Sequence, residues 1–207
     1  MKKFYTIISL QANRFEAQNY VATDNDKLNR LMPVHFPILN AVNGYVENGE
    51  QISVIAVVFD CDPCRNNFDI FKRELAQILD EKGCPDPIIN EVIIPSATSV
   101  NTQMKLFQRL TDFAEDEDEL YGCLTYGTKP MTMAMLMAIQ YAYKVKLNTL
   151  IGCIVYGEID RPSGNPSEWK AYIHDFTALV QMNELVNMLA NNHVADPRKA
   201  IDAILSE

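Results

Sequence analysis

Five stretches of the chain are short, nearly continuous in apolar character and rich in Ile, Val, Tyr or Phe: residues 4–11, 52–59, 88–94, 120–125 and 149–156. Runs of this length and composition predict strands covered on both faces. Between them the apolar spacing changes to three and four. Phe68, Phe71, Leu75, Ile78 and Leu79 form one such stripe, which stops at Gly83, a residue suited to ending a helix. Val100, Met104, Phe107, Leu110 and Ala114 form a second stripe. Residues 130–143 are apolar on nearly every side, the pattern of a helix buried against a sheet. The stretch 27–46 carries helical patches that Pro33 and Pro37 interrupt or kink.

This alternation predicts an α/β fold: a Rossmann-like, mostly parallel sheet of five or six strands, with helices on both faces and right-handed crossovers. Residues 162–166 read as a loop and 169–174 as one more strand. Asp175 is then placed to cap a helix carrying Phe176, Leu179, Met182, Val186 and Leu189 on one face. Asp196 and Pro197 open a last short helix. The expected organisation is a core over residues 1–166, followed by a C-terminal strand and helical extension over 167–207 that packs on the core or on a partner.

Composition narrows the functional classes. Of 207 residues, 48% are hydrophobic and 22% charged, which excludes disorder and leaves enough apolar surface for a core without disulfides or a structural metal. A net charge of −9 argues against coating duplex DNA or an anionic membrane, so an anionic ligand needs a local basic site. No apolar run reaches the roughly 18–20 residues of a membrane span, and the N-terminal stretch is too short and polar for a signal peptide. The cysteines are odd in number (Cys61, Cys64, Cys84, Cys123 and Cys153), which fits reduced thiols in a cytoplasm.

The most informative segment runs Cys123-Leu124-Thr125-Tyr126-Gly127-Thr128-Lys129-Pro130-Met131, where a strand ends and a buried helix begins. Ligands of doubly wound sheets bind at the carboxyl ends of strands, and helix N-termini direct free amides at anions. Pro130 disfavours the α conformation at Lys129 and so marks the helix start. Gly127 permits close backbone approach, and Thr125 and Thr128 add hydroxyls. Lys129 opposes the helix dipole, a local conflict expected at a functional site. These residues make a candidate phosphate cradle. Neither GxxxxGK[ST] nor GxGxxG occurs, so ordinary nucleoside triphosphatase and dinucleotide readings have no support, and no cofactor is expected.

The stretch from Thr125 to Met131, followed by an Ala- and Met-rich helix, resembles the signature of CRISPR-associated Rossmann-fold (CARF) domains, roughly Asp-x-Thr-Gly-Gly-Thr-Lys-x-Met. The run Ile154-Val155-Tyr156-Gly157 and the later Asp175-Phe176-Thr177 look similar to the same family, over a span from Phe4 to about Ala190. Two departures stand out: Cys123 where the family often has Asp, and Tyr126 in place of the first Gly. The resemblance implies a homodimeric sensor of cyclic tetra- or hexa-adenylate in type III CRISPR antiviral defence, with the ring held across the two-fold. It further implies that Thr125, Gly127, Thr128 and Lys129 hold phosphate or ribose, with Ser9 and Gln11 lining the same pocket. Tyr126 and Tyr156 are placed to stack on adenine if they face the cleft, and Pro130 borders it. Some relatives cleave their ring without a metal, and the corresponding candidates here are Lys129, Ser9 and Thr128.

Other signals compete. Cys61-Asp62-Pro63-Cys64 lies between a strand and a helix, as a thioredoxin-like redox motif would, although the element count exceeds that fold. No second CxxC or HxxxH completes a zinc site, so no metal is expected. Met131, Met133, Met135 and Met137 alternate, which scatters them around a helix as core filler. The acidic run 115–119 reads as a solvated loop, and His174 beside Asp175 as structural. A ligand-responsive transcription regulator would need a basic helix that the last 40 residues lack.

Overall fold

The computed structural model describes residues 1–12, 15–30, 32–95, 99–163, 165 and 168–205. Strand β1 (Lys2–Ile7) is the hub of the sheet, hydrogen-bonded in parallel to β3 (Ile52–Phe59) on one side and to β5 (Glu119–Cys123) on the other. β4 (Ile88–Ile94) extends the sheet beyond β3, and β6 (Leu150–Asp160) extends it beyond β5, both in parallel. β7 (Lys170–Asp175) then runs antiparallel to β6, and the short β2 (Tyr20–Ala22) pairs in parallel with β7. The order is β2-β7-β6-β5-β1-β3-β4.

Every residue of β3 is buried, which explains why its sequence is apolar at all positions but Ser53: a central parallel strand has no solvent face. α1 (Ile38–Tyr45) and α2 (Asp62–Glu81) follow crossovers in one direction, while α3 (Val100–Thr111) and α4 (Lys129–Val145) return in the other. Right-handed connections therefore put α1 and α2 on one face and α3 and α4, packed side by side, on the opposite face. α5 (Thr177–Asn191) lies beside α4, where Lys144 Nζ reaches Glu184 Oε1 at 2.9 Å. α6 (Pro197–Leu205) ends the described chain. Through the core, Phe4 stacks on Tyr121 with ring centroids 4.5 Å apart.

The predicted α/β class stands, with seven strands rather than five or six. β2 has only three residues, too few for any periodicity to register. The strand expected near 169–174 exists but reverses direction, because it returns from β6 through a hairpin rather than a helix. In 27–46 the helical patches resolve into a 3₁₀ turn, Asp26–Leu28, and α1, whose N-cap is Pro37. Gly83 follows α2 at φ +62°, as its role as a stop requires. Asp196 Oδ1 accepts from Lys199 N at 3.0 Å, capping α6. Asp175 accepts from Thr177 N at 2.9 Å, one residue earlier than expected, since Phe176 is the N-cap of α5. At the far edge Arg109 Nη1 donates to Ile93 O of β4 at 2.7 Å. Among the described residues no helix is long and apolar enough to cross a membrane.

Candidate functional site

From β1 the chain proceeds to β3 and β4 on one side, and from β5 to β6 on the other. The sheet order therefore reverses between β1 and β5, and their carboxyl ends flank the crevice that such a switch point opens. The Cys123–Met131 segment lies on this crevice, at the end of β5 and the start of α4. Ser9 and Gln11 follow β1 on its other side.

Gly127 sits at φ +94°, and a Cβ there would come within 2.9 Å of the Ile7 side chain. Both the left-handed backbone and the tight approach to β1 call for glycine. The turn carries the chain to Thr128, which is the N-cap of α4 by its backbone (φ −82°, ψ 153°) but makes no side-chain cap bond. Its carbonyl accepts from Met131 N at 3.0 Å and Thr132 N at 3.1 Å. Pro130 has no N–H to satisfy in this first turn. Gly127, Thr128, Lys129 and Pro130 are all exposed, and among the described residues no carboxylate pairs with Lys129. A free hydroxyl, an unpaired ammonium and the positive end of a 17-residue helix thus face solvent together.

Thr125 is half-buried. Its Oγ1 accepts from Gly157 N at 2.7 Å and from the Cys123 thiol at 3.3 Å, which leaves its own O–H to donate. Tyr126 turns inward. Its hydroxyl donates to His35 O at 2.7 Å, its ring meets Phe15 and Phe36 edge-on at 5.9 and 5.7 Å, and burial holds the phenol well above its ordinary pKa. Ser9 is buried, and its hydroxyl accepts from Gln11 N at 3.2 Å. Asn67 Nδ2 donates to the carbonyls of Ser9 and Gln11, each at 2.9 Å, which fixes this loop beside β1. Of the three residues considered for ring cleavage, Thr128 and Lys129 face solvent and Ser9 does not.

Beside the turn lies a cavity of about 330 Å³, reached from the same edge of the sheet. Thr125 and Tyr126 form one wall, and Gln11, Phe15, Glu16 and Gln18 form another. The third wall is the part of β6 that overhangs β5, from Tyr156 to Ile159, with Arg161 and Trp169 beyond it. Arg161 lies over the Trp169 ring at 4.9 Å, and Trp169 Nε1 donates to Ser163 O at 3.1 Å. Tyr156 stacks on Phe176 at 5.8 Å and 9°, and His174 Nε2 approaches Glu158 Oε2 at 3.2 Å. The cavity thus offers aromatic faces, two carboxamides, two carboxylates and one guanidinium.

Sequence reasoning found Gln11, Thr125, Tyr126 and Tyr156 but missed Phe15, Glu16, Gln18, Glu158, Arg161 and Trp169. Those residues lie in loops or on a strand overhang, where no periodicity marks them. The one available signal was that Trp169 is the single tryptophan of the chain, read in the sequence only as the start of a strand.

The CxxC thiols sit at the N-terminus of α2, with Cys61 as N-cap. Cys64 is buried, accepts from Phe59 N at 3.2 Å and donates to Ile8 O at 3.6 Å, and burial pushes its pKa up to about 11. That direction keeps the buried Cys64 protonated. Among the described residues no three His, Cys, Asp or Glu side chains converge as a metal site would require. No family model matches the chain, and no curated protein matches it.

Proposed function

We propose that this protein is a cytoplasmic, homodimeric sensor of a cyclic oligoadenylate, the tetra- or hexa-adenylate of type III CRISPR antiviral defence. The observation that carries this reading is the solvent-facing, unpaired Lys129 at the N-terminus of α4, beside the switch point between β1 and β5. The Lys129 backbone amide, the Thr128 hydroxyl and the ammonium together suit phosphate oxygens. Two such turns in a dimer would give an anionic ring a local positive site within chains of net charge −9 each.

The cavity supports a nucleotide rather than a bare phosphate. Its volume of about 330 Å³ suits one base, its aromatic walls suit stacking, and Glu16 and Glu158 can accept from an exocyclic amine. Gln11 and Gln18 carboxamides can both donate and accept on a base edge. Slow metal-independent cleavage would rest on Lys129 stabilising charge at phosphorus while Thr128 orients the ribose, with no general base evident in the turn.

Calorimetric titration with cyclic tri-, tetra- and hexa-adenylate, followed by chromatography of the incubated ring without added metal, tests both parts. Saturable binding at one ring per dimer is expected. Absence of binding by all three rings refutes the sensor reading, and linear fragments would add ring cleavage to it.

A further inference from the structure

We propose that Cys61 and Cys64 form a reversible disulfide site, oxidised by a small-molecule disulfide, whose redox state sets how firmly α2 holds the chain that follows β1. The disulfide and this hold stand apart from the sensor reading; only an effect on ring affinity rests on it.

The two cysteines meet around one residue of β3. Phe59 N donates to Cys64 Sγ at 3.2 Å, and Phe59 O accepts from Cys61 N at 2.8 Å. Cys61 is the N-cap of α2 and Cys64 lies three residues on, in its first turn. Side chains at these two positions share one corner of a helix start, since an N-cap side chain reaches the amide three residues ahead. Cys61 makes no such cap bond, so its thiol is not committed to the helix end. Pro63 between them fixes its own φ and stiffens the turn.

Access sets the order of reaction. Cys61 is half-buried and Cys64 is 0% exposed. The Cys61 sulfur attacks one sulfur of the incoming disulfide, breaks its S–S bond and releases one thiol, leaving a mixed disulfide. Cys64 then attacks the Cys61 sulfur and displaces the second thiol. Two protein thiols are oxidised, one external disulfide is reduced to two thiols, and these carry away both protons. Cys84 is also half-buried but follows the opposite end of the 20-residue α2, out of reach of this pair.

Oxidation removes a contact that the reduced protein uses. The Cys64 thiol donates to Ile8 O at 3.6 Å, and a disulfide sulfur has no proton to give. Turning Cys64 Sγ toward Cys61 also takes the acceptor from Phe59 N. Ile8 and Phe59 are 0% and 1% exposed, so water does not replace either bond. The chain after β1 is then held to α2 only through Asn67, one turn beyond Cys64, which donates to the carbonyls of Ser9 and Gln11. A disulfide that strands buried backbone groups is readily reduced again, so the site is reversible.

Glutathione disulfide added to the full chain, followed by acid quenching, alkylation and tryptic mapping, tests the bond. Residues 31–65 form one tryptic peptide whose cysteines are Cys61 and Cys64. It should be recovered unalkylated and lighter by two hydrogens, and dithiothreitol should restore both thiols. Two alkylated thiols at every oxidant concentration, or a glutathione adduct on Cys61 that never closes, overturns the proposal. Cys61→Ser should leave Cys64 reduced in the native protein; rapid glutathione uptake by Cys64 there overturns the order of attack. Hydrogen exchange of the wild type reads the hold on β1. Amides of residues 9–11 should exchange roughly tenfold faster in the oxidised form, and equal rates overturn the coupling. A disulfide that forms in a protein binding no ring keeps this site and refutes the sensor. Where a ring binds, the oxidised form should bind it severalfold more weakly, and equal affinity refutes any control of that site.

Discussion

The backbone amide of Gly157 donates a 2.7 Å hydrogen bond to the hydroxyl of Thr125. This bond ties the turn after β5 to the overhanging part of β6, and so holds two walls of the cavity at a fixed separation. Gly157 is buried, so removing the acceptor strands its N–H. Thr125→Val should cost about 1–3 kcal/mol in chemical denaturation, while Thr125→Ser, which keeps the hydroxyl, should cost less than half of that.

Lys129 and Gly127 separate binding from folding. Lys129→Ala removes an exposed ammonium from a helix end that its charge opposes, so the melting temperature should hold or rise slightly. Ring affinity should fall by tenfold or more in calorimetry. Gly127→Ala meets Ile7 at 2.9 Å from a φ of +94°, and should lose both affinity and about 1–3 kcal/mol of stability.

Trp169 is the single tryptophan and forms part of the cavity wall, so its emission reports occupancy directly. Titration with the ring that binds should change its intensity or wavelength saturably, with the same midpoint as calorimetry. A ligand held only at the Lys129 turn would leave the emission unchanged.

Asp175 gives the fold a defined acid response. Burial pushes its carboxyl pKa up, but hydrogen bonds from Thr177 and Asn25 outweigh that and hold it below the ordinary 3.8. A carboxyl lowered by folding contributes stability that is complete above its unfolded value and disappears as pH falls through its folded value. Asp175→Asn should therefore lower the free energy of unfolding at neutral pH by on the order of 1 kcal/mol after allowing for its partial exposure. The difference from wild type should shrink as pH falls below about 4.

The thiols divide by burial. Cys61 and Cys84 are half-buried, whereas Cys64, Cys123 and Cys153 are buried and their pKa values are raised by desolvation. Iodoacetamide at pH 8 should alkylate two thiols in the native protein, and the remaining three only after denaturant is added. A disulfide forming between Cys61 and Cys64 under a mild oxidant would support the redox reading of the CxxC pair.

The central sheet and its helices were legible because buried parallel strands and amphipathic helices write their periods into the chain, as 52–59 and the stripe from Phe68 to Leu79 do. The turn from Thr125 to Pro130 was legible for another reason: Gly, Thr, Lys and Pro each have a distinct backbone or charge consequence at a strand-to-helix junction. What stayed hidden has no period. β2 is three residues long, and the direction of β7 depends on a hairpin that composition does not encode. The cavity is built across segments distant in sequence, so that Gln11, Thr125 and Arg161 meet only once the sheet order is known. Even Ser9, well placed by sequence position, faces inward because Gln11 N takes its hydroxyl.

The two borders of the sheet restrict how the protein can assemble. β2 offers only three residues to a newcomer, and on the opposite border Arg109 already occupies the Ile93 carbonyl of β4, a strand that also carries the exposed, charged Glu91. Strand-by-strand addition from either border, the route to fibrils and open-ended polymers, is thereby hindered. Self-association, where it occurs, is left to the helical faces, where a two-fold contact would close on itself and keep the assembly finite.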